Sequence, residues 1–92
     1  MTRVTVDQQE IRYLQATDDQ LHEVAARNRW RVKVALRDGT TITGYLAGVN
    51  TGRTQDQQGQ WGYYGEATIQ QDKINVPRTV DRLDIESVED PA

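Results

Sequence analysis

From Trp30 onward the apolar residues fall on alternate positions. Trp30, Val32, Val34 and Leu36 share one phase, and Arg29, Arg31, Lys33 and Arg37 share the other. That two-residue repeat belongs to a strand with one face in a core and one in water. Asp38-Gly39 follows, and glycine there supplies the positive φ of a tight hairpin turn. A second strand is predicted from Thr41 to Val49, with Ile42, Leu46 and either Gly44 or Tyr45 pointing inward. Gly44 and Gly48 interrupt it, and glycines inside a strand mark a bend, a bulge or a close backbone approach. Two strands joined tightly, the second one bending, are the start of a small closed barrel, which also removes exposed sheet edges.

The rest of the chain continues in short strands. Residues 50–65 (NTGRTQDQQGQWGYYG) are polar and Gly-rich, then aromatic, and read as a loop or protruding hairpin that turns at Asp56 to Gly59. Glu66 to Gln71 returns to strand pattern, and Asp72-Lys73 reads as a turn. Ile74 to Val76 extends a strand in this reading, with Pro77 at an edge or an end because it cannot donate to a ladder. Val80, Leu83, Ile85 and Val88 close the barrel, with a tight turn at Leu83 to Ile85. Residues 89–92 are expected to fray. The fold class expected is mainly β: a five-stranded SH3-like barrel with an N-terminal helical segment.

Ahead of the barrel, Asp7-Gln8-Gln9-Glu10 has the form of a capping box, and Thr17-Asp18-Asp19-Gln20 repeats it. Two short helices, about 8–15 and 18–28, are predicted. Residues 11, 14, 18, 21, 25 and 28 also fit one long helix, but that places Asp18 in the apolar seam, which favours the break. The helical lead is expected to cap an open end of the barrel through Ile11, Leu21 and Val24. A partner-binding face is the alternative. Residues 1–6 either form a short strand or stay loose. The chain as a whole reads as one domain, residues 1–92, with a lead at 1–28 and a barrel at 29–90 that carries the 51–65 insertion.

Composition narrows the chemistry. There is no Cys, hence no disulfide and no thiolate. Residues 1–6 lack an apolar leader core, and no run is long enough to span a bilayer. A cytoplasmic protein with no membrane partner is expected. The net charge of −3 is unsuited to a non-specific grip on phosphate. His22 is the single histidine, and it lies in the helical lead without a partner that would make it an acid or base. No cluster has metal-ligand spacing, no Gly-rich phosphate loop is complete, and Ser87 sits in the closing strand rather than on a nucleophile elbow. No cofactor and no enzymatic activity are expected.

The segment Val32 to Asn50, VKVALRDGTTITGYLAGVN, resembles the first Sm motif of the Sm, Lsm and Hfq superfamily. The matching features are the alternating strand ending in Leu36, then Asp38-Gly39, Ile42, Gly44, Leu46 and Gly48, with Asn50 where Sm proteins usually carry Asp. The C-terminal VDRLDIESVED resembles the family's closing strand. The resemblance implies a helix-led five-stranded barrel and a binding role. It covers about two-thirds of the chain, and the motif is short. The chain looks more like the small, divergent bacterial members with an extended loop between strands two and three. A looser similarity is to the Rho inhibitor Rof. Two family signatures are missing. The insertion occupies the place of the RNA-contacting Asn, and Val76-Pro77-Arg78-Thr79 stands where an Arg-Gly or Lys-Gly pair is expected. The family's uridine pocket therefore does not transfer.

Candidate binding residues fall into two groups. Arg53, Trp61, Tyr63 and Tyr64 lie in the insertion, where aromatics beside a cation can stack bases or anchor a partner protein. The competing reading has one of these aromatics in the core and Trp61 pinning the loop. Arg29, Arg31 and Lys33 form a basic stripe that can track phosphate, or be neutralised across the sheet by Asp84, Glu86 and Glu89 on the last strand. RNA or single-stranded nucleic acid is one partner class and a protein is the other. Pro77 near the outer edge favours a monomer or homodimer over a ring.

Overall fold

A computed structural model describes residues 2–91. One helix, α1 (Gln8–Arg27), precedes five strands: β1 (Arg31–Leu36), β2 (Thr41–Gln55), β3 (Trp61–Gln71), β4 (Arg78–Asp81) and β5 (Ile85–Glu89). All neighbours are antiparallel, in the order β4-β3-β2-β1-β5. The outermost strands β4 and β5 are joined only by the 3-10 turn Arg82–Asp84. A connection that short forces the sheet to curl until its ends meet, and the result is the expected small barrel.

The core follows the two-residue repeat. Val32, Val34, Leu36, Ile42, Leu46, Ala67, Ile69, Val80, Ile85 and Val88 are buried together with Leu21, Val24 and Ala25 of the helix. In β2 Gly44, not Tyr45, points inward. Leu46 pairs with Ile69 and Gly48 with Thr68, so a bulge absorbs Ala47 and the inward face continues through Val49.

The helical lead is one helix rather than two. Asp7 caps it by accepting from the amides of Gln9 and Glu10 at 2.8 and 3.1 Å, as the first capping box implied. The second box caps nothing. Thr17 Oγ1 instead donates back to the Leu14 carbonyl at 2.9 Å, a bond compatible with a continuous helix. Asp18 lies at the flank of the apolar seam, with Oδ1 2.8 Å from His22 Nδ1. Leu14, Leu21 and Val24 are buried, whereas Ile11 is only partly so.

The first strand begins one residue later than the repeat suggests. Asn28 caps the helix, its amide donating to the Ala25 carbonyl, and the Trp30 amide donates to the same oxygen at 2.7 Å. Closing the helix this way puts Arg29 at φ 56 and Trp30 at φ 68. The left-handed pair swings Trp30 out of phase, and its side chain is exposed instead of facing the core.

Of the two readings of residues 51–65, loop or protruding hairpin, the structure has the hairpin. Almost all of these residues continue β2 and β3 as a two-stranded arm closed by a turn at 56–60, which accounts for the elongated 41 × 24 × 22 Å shape. Two further segments differ from expectation. Ile74 to Val76 form bends rather than strand and are exposed. The turn before the last strand is Arg82–Asp84, so Val76 to Thr79 is the entry to β4 and not the counterpart of the Arg-Gly pair. That turn also lacks glycine.

Near the N-terminus, Thr5 bridges to Tyr63, each amide donating to the other's carbonyl at 2.8 Å. Arg3 ties this strap to Asp81 and Asp84, and Thr2 donates to Glu66. At the other end Asp90 is held rather than frayed, accepting from Arg27 at 2.7 Å and Asn28 at 2.6 Å.

Two ion pairs, Arg27 with Asp90 and Arg31 with Asp72 of the β3–β4 turn, set an acid limit. Hydrogen bonds from Arg31 hold the Asp72 carboxyl below its ordinary 3.8, and Arg27 and Asn28 do the same to Asp90. A carboxyl depressed in the folded state contributes fully above its unfolded value and loses that contribution as pH falls through the folded one. Melting temperature should therefore drop below about pH 4, and less steeply in Asp72→Asn with Asp90→Asn. Equal acid sensitivity in that double variant would rule these pairs out as the cause.

Candidate ligand-binding hairpin

Beyond the barrel, the face of β2 and β3 that is core at the base becomes open surface. On β3 the inward phase runs Ile69, Ala67, Gly65, Tyr63, Trp61, and on β2 it runs Val49, Thr51, Arg53, Gln55. Arg53 stands opposite Tyr63, and Gln55 opposite Trp61. The Arg53 guanidinium carbon lies 5.8 Å from the Trp61 ring centre and 5.5 Å from that of Tyr63. Both distances are within cation–π range. Trp61 is 56% exposed and Tyr63 38%, so neither belongs to the core. Tyr64 points to the opposite face and is half-buried, its ring lying against Gly52, where a Cβ would come within 2.7 Å of it. None of the three aromatics joins the buried cluster.

Arg53 has no carboxylate within salt-bridge distance among the described residues. The nearest acid in sequence, Asp56, spends one oxygen on the turn amides of Gln58 and Gln60, at 2.8 and 2.9 Å. The arm thus presents a positive charge between two aromatic rings, with no counter-ion among the described residues.

The basic stripe is placed differently. Arg31 pairs with Asp72 at 2.5 Å and lies over the Tyr45 ring, and the Asp72 hydrogen bond holds its pKa above the ordinary range. Its partner comes from the β3–β4 turn rather than from the last strand. Lys33 lies 3.9 Å from Glu89 on β5, a cross-strand pair of the kind anticipated. Arg29 is exposed in the helix-terminating turn, away from the arm.

One important side chain goes unread in the sequence. Arg82 is fully buried beneath α1, and its Nη2 donates to the Leu14 carbonyl at 3.0 Å and to Thr51 Oγ1 at 2.6 Å. It therefore ties the helix to the root of the arm. Its Nε and Nη1 have no hydrogen-bond partner among the described residues. Burial pushes its pKa down, against the opposing pull of Asp18 and Asp81. The available signal is a cation inside the apolar run Val80-Leu83-Ile85. Among the described residues no group of three or more His, Cys, Asp or Glu is arranged to hold a metal, and no helix is long and apolar enough to cross a membrane.

Barrel order, helix placement and strand phase together define an Sm-like fold. No protein-family model and no curated protein matches the sequence. In three dimensions the chain is similar to XC5848 from Xanthomonas campestris, whose crystal structure adopts a novel variant of the Sm-like motif. The two share 24% identity over 100% of this chain and 96% of that one, with a TM-score of 0.74.

Proposed function

We propose that this protein is a non-enzymatic binding module that takes single-stranded nucleic acid, RNA above all, on the inner face of the β2–β3 arm. The observation that carries this reading is Arg53, uncompensated by any described carboxylate and set against the exposed rings of Trp61 and Tyr63. Rings of this kind stack bases of any identity, each stack contributing about 1–3 kcal/mol, while the cation meets phosphate or stacks in turn. Arg31 and Lys33 add little, since their charge is already met by Asp72 and Glu89. Tyr64 supports the arm from behind through Gly52.

Fluorescence anisotropy with labelled oligo(U) and oligo(dT) at low salt is the test. Binding should weaken as salt rises, and Trp61→Ala should weaken it about tenfold or more. No binding to either oligomer at low salt would remove this reading. The second reading, a protein-interaction module, draws on the net charge of −3 and on the exposed Trp30, Tyr45, Ile74 and Val76. A protein partner that co-purifies after nuclease treatment would favour it.

A further inference from the structure

The arm has one edge that none of the described residues covers. Tyr63 turns its amide and carbonyl outward to Thr5. In an antiparallel ladder the residue opposite it, Arg53, must therefore turn its own amide and carbonyl away from β3. The same holds at two-residue steps for Val49, Thr51 and Gln55. On that side β1 stops pairing at Tyr45, and the last bond is from the Leu46 amide to the Trp30 carbonyl. No described backbone group bonds to the outward amides and carbonyls of these four residues. Thr51, Arg53 and Gln55 are exposed.

Natural proteins guard such edges with Lys, Pro, inward charge or short length. Residues 47–55 contain no Lys and no Pro, their one bulge lies at the root at Ala47, and their single charge is Arg53 on the inward phase, so the edge from Val49 to Gln55 keeps a regular extended shape. A projecting two-stranded ribbon is also only marginally stable by itself.

We propose that this edge pairs with the same edge of a second copy, antiparallel about a two-fold axis at Gly52. The register follows from the chain. Centred on Gly52, Val49 faces the second copy's Gln55, and Thr51 faces its Arg53, so all four outward residues on each copy exchange both their hydrogen bonds. Centring on Thr51 leaves Gln55 unpaired, and centring on Arg53 sets that cation against itself. The Gly52 register avoids both faults. It also brings the two Gly52 residues to the close-approach position, where the absence of a side chain suits them. A two-fold axis normal to the sheet keeps like faces together. The two clusters of Arg53, Trp61 and Tyr63 then lie on one face of a continuous four-stranded ribbon. The dimer does not depend on what that face binds.

Because the chain has no Cys, cross-linking reads the register directly. Asn50 faces the second copy's Thr54 in this arrangement, at the closer, non-hydrogen-bonded kind of position. Within one chain those residues are roughly 13 Å apart along the strand, too far for a disulfide. Asn50→Cys with Thr54→Cys should give a covalent dimer under mild oxidation, and Thr54→Cys alone should not. In sedimentation equilibrium the unmodified protein should be dimeric. Asn50→Lys with Thr54→Lys should weaken the dimer about tenfold, and Asn50→Lys with Thr54→Glu should restore it. A monomer throughout, a larger assembly, or indifference to these charge patterns would overturn the proposal.

Discussion

Gly44→Ala is expected to lower the free energy of unfolding by about 3 kcal/mol. Gly48→Ala, on the same strand, is expected to leave it unchanged or raise it by about 0.5 kcal/mol. The two glycines look alike in the sequence, both interrupting the second strand, but their surroundings differ. A Cβ on Gly44 would overlap the Gln70 carbonyl oxygen and lie 2.8 Å from its carbon and 2.9 Å from Gln71 Cα. All three atoms are backbone of β3, so no side chain can swing aside and the strands themselves must part. At Gly48, past the bulge, nothing lies within 4 Å of the place a methyl group would take, and its φ is not in the left-handed region. Alanine there only narrows the unfolded ensemble. Against a total stability of about 5–15 kcal/mol for a domain of ordinary size, the first change is severe. Urea denaturation of both variants is the measurement. A Gly44→Ala protein as stable as its parent would mean that β2 and β3 do not approach this closely.

Arg82→Met is expected to stabilise the protein, by about 1 kcal/mol. A guanidinium with no exposed surface and two unpartnered nitrogens bears a desolvation cost that its two hydrogen bonds do not offset. Removing it takes a nearby cation from Asp18 and Asp81, neither of which is within salt-bridge distance of it, and leaves no backbone acceptor without a partner. The Leu14 carbonyl still accepts from Thr17 Oγ1 at 2.9 Å, and Thr51 is exposed to water. Methionine has nearly the same reach and fills the space without charge. A lower denaturation midpoint in the variant would show that the cation is a net contributor. If the midpoint rises, Arg82 is retained for what it positions, namely the helix against the root of the arm.

The barrel is legible because burial leaves a period. Val32 to Leu36, Ile42 and Leu46 alternate against water, and each lies where the alternation puts it, while Val80, Leu83, Ile85 and Val88 are buried as apolar residues without a strict period. The arm leaves no such trace. Beyond Val49 and Ala67 the buried positions of the ribbon are glycines, Gly62 and Gly65, so no alternation of apolar residues marks the strands, and the segment reads equally as a loop or as a protruding hairpin. A split helix follows only if Asp18 is weighed as a buried charge, whereas its place at the seam's flank lets it meet His22. Trp30 reads as core because the repeat carries no record of the left-handed turn that ends the helix. At the candidate site the residue types are legible and their arrangement is not. Which of Trp61, Tyr63 and Tyr64 share a face with Arg53 follows from strand phase, and strand phase is invisible until the arm is known to be a ribbon.

The strap formed by residues 2–5 has a consequence for the order in which the molecule assembles. The arm closes over a short turn and α1 forms within itself, both local events on the microsecond scale. The Thr5–Tyr63 bridge and the bonds from Arg3 to Asp81 and Asp84 join positions far apart along the chain, so they follow closure of the barrel. The same late contacts are the first available to open. Protection of the Tyr63 amide against solvent exchange is then governed by the strap and not by the strand it belongs to. A residue near the tip of the longest ribbon thereby shares the fluctuations of the chain's beginning.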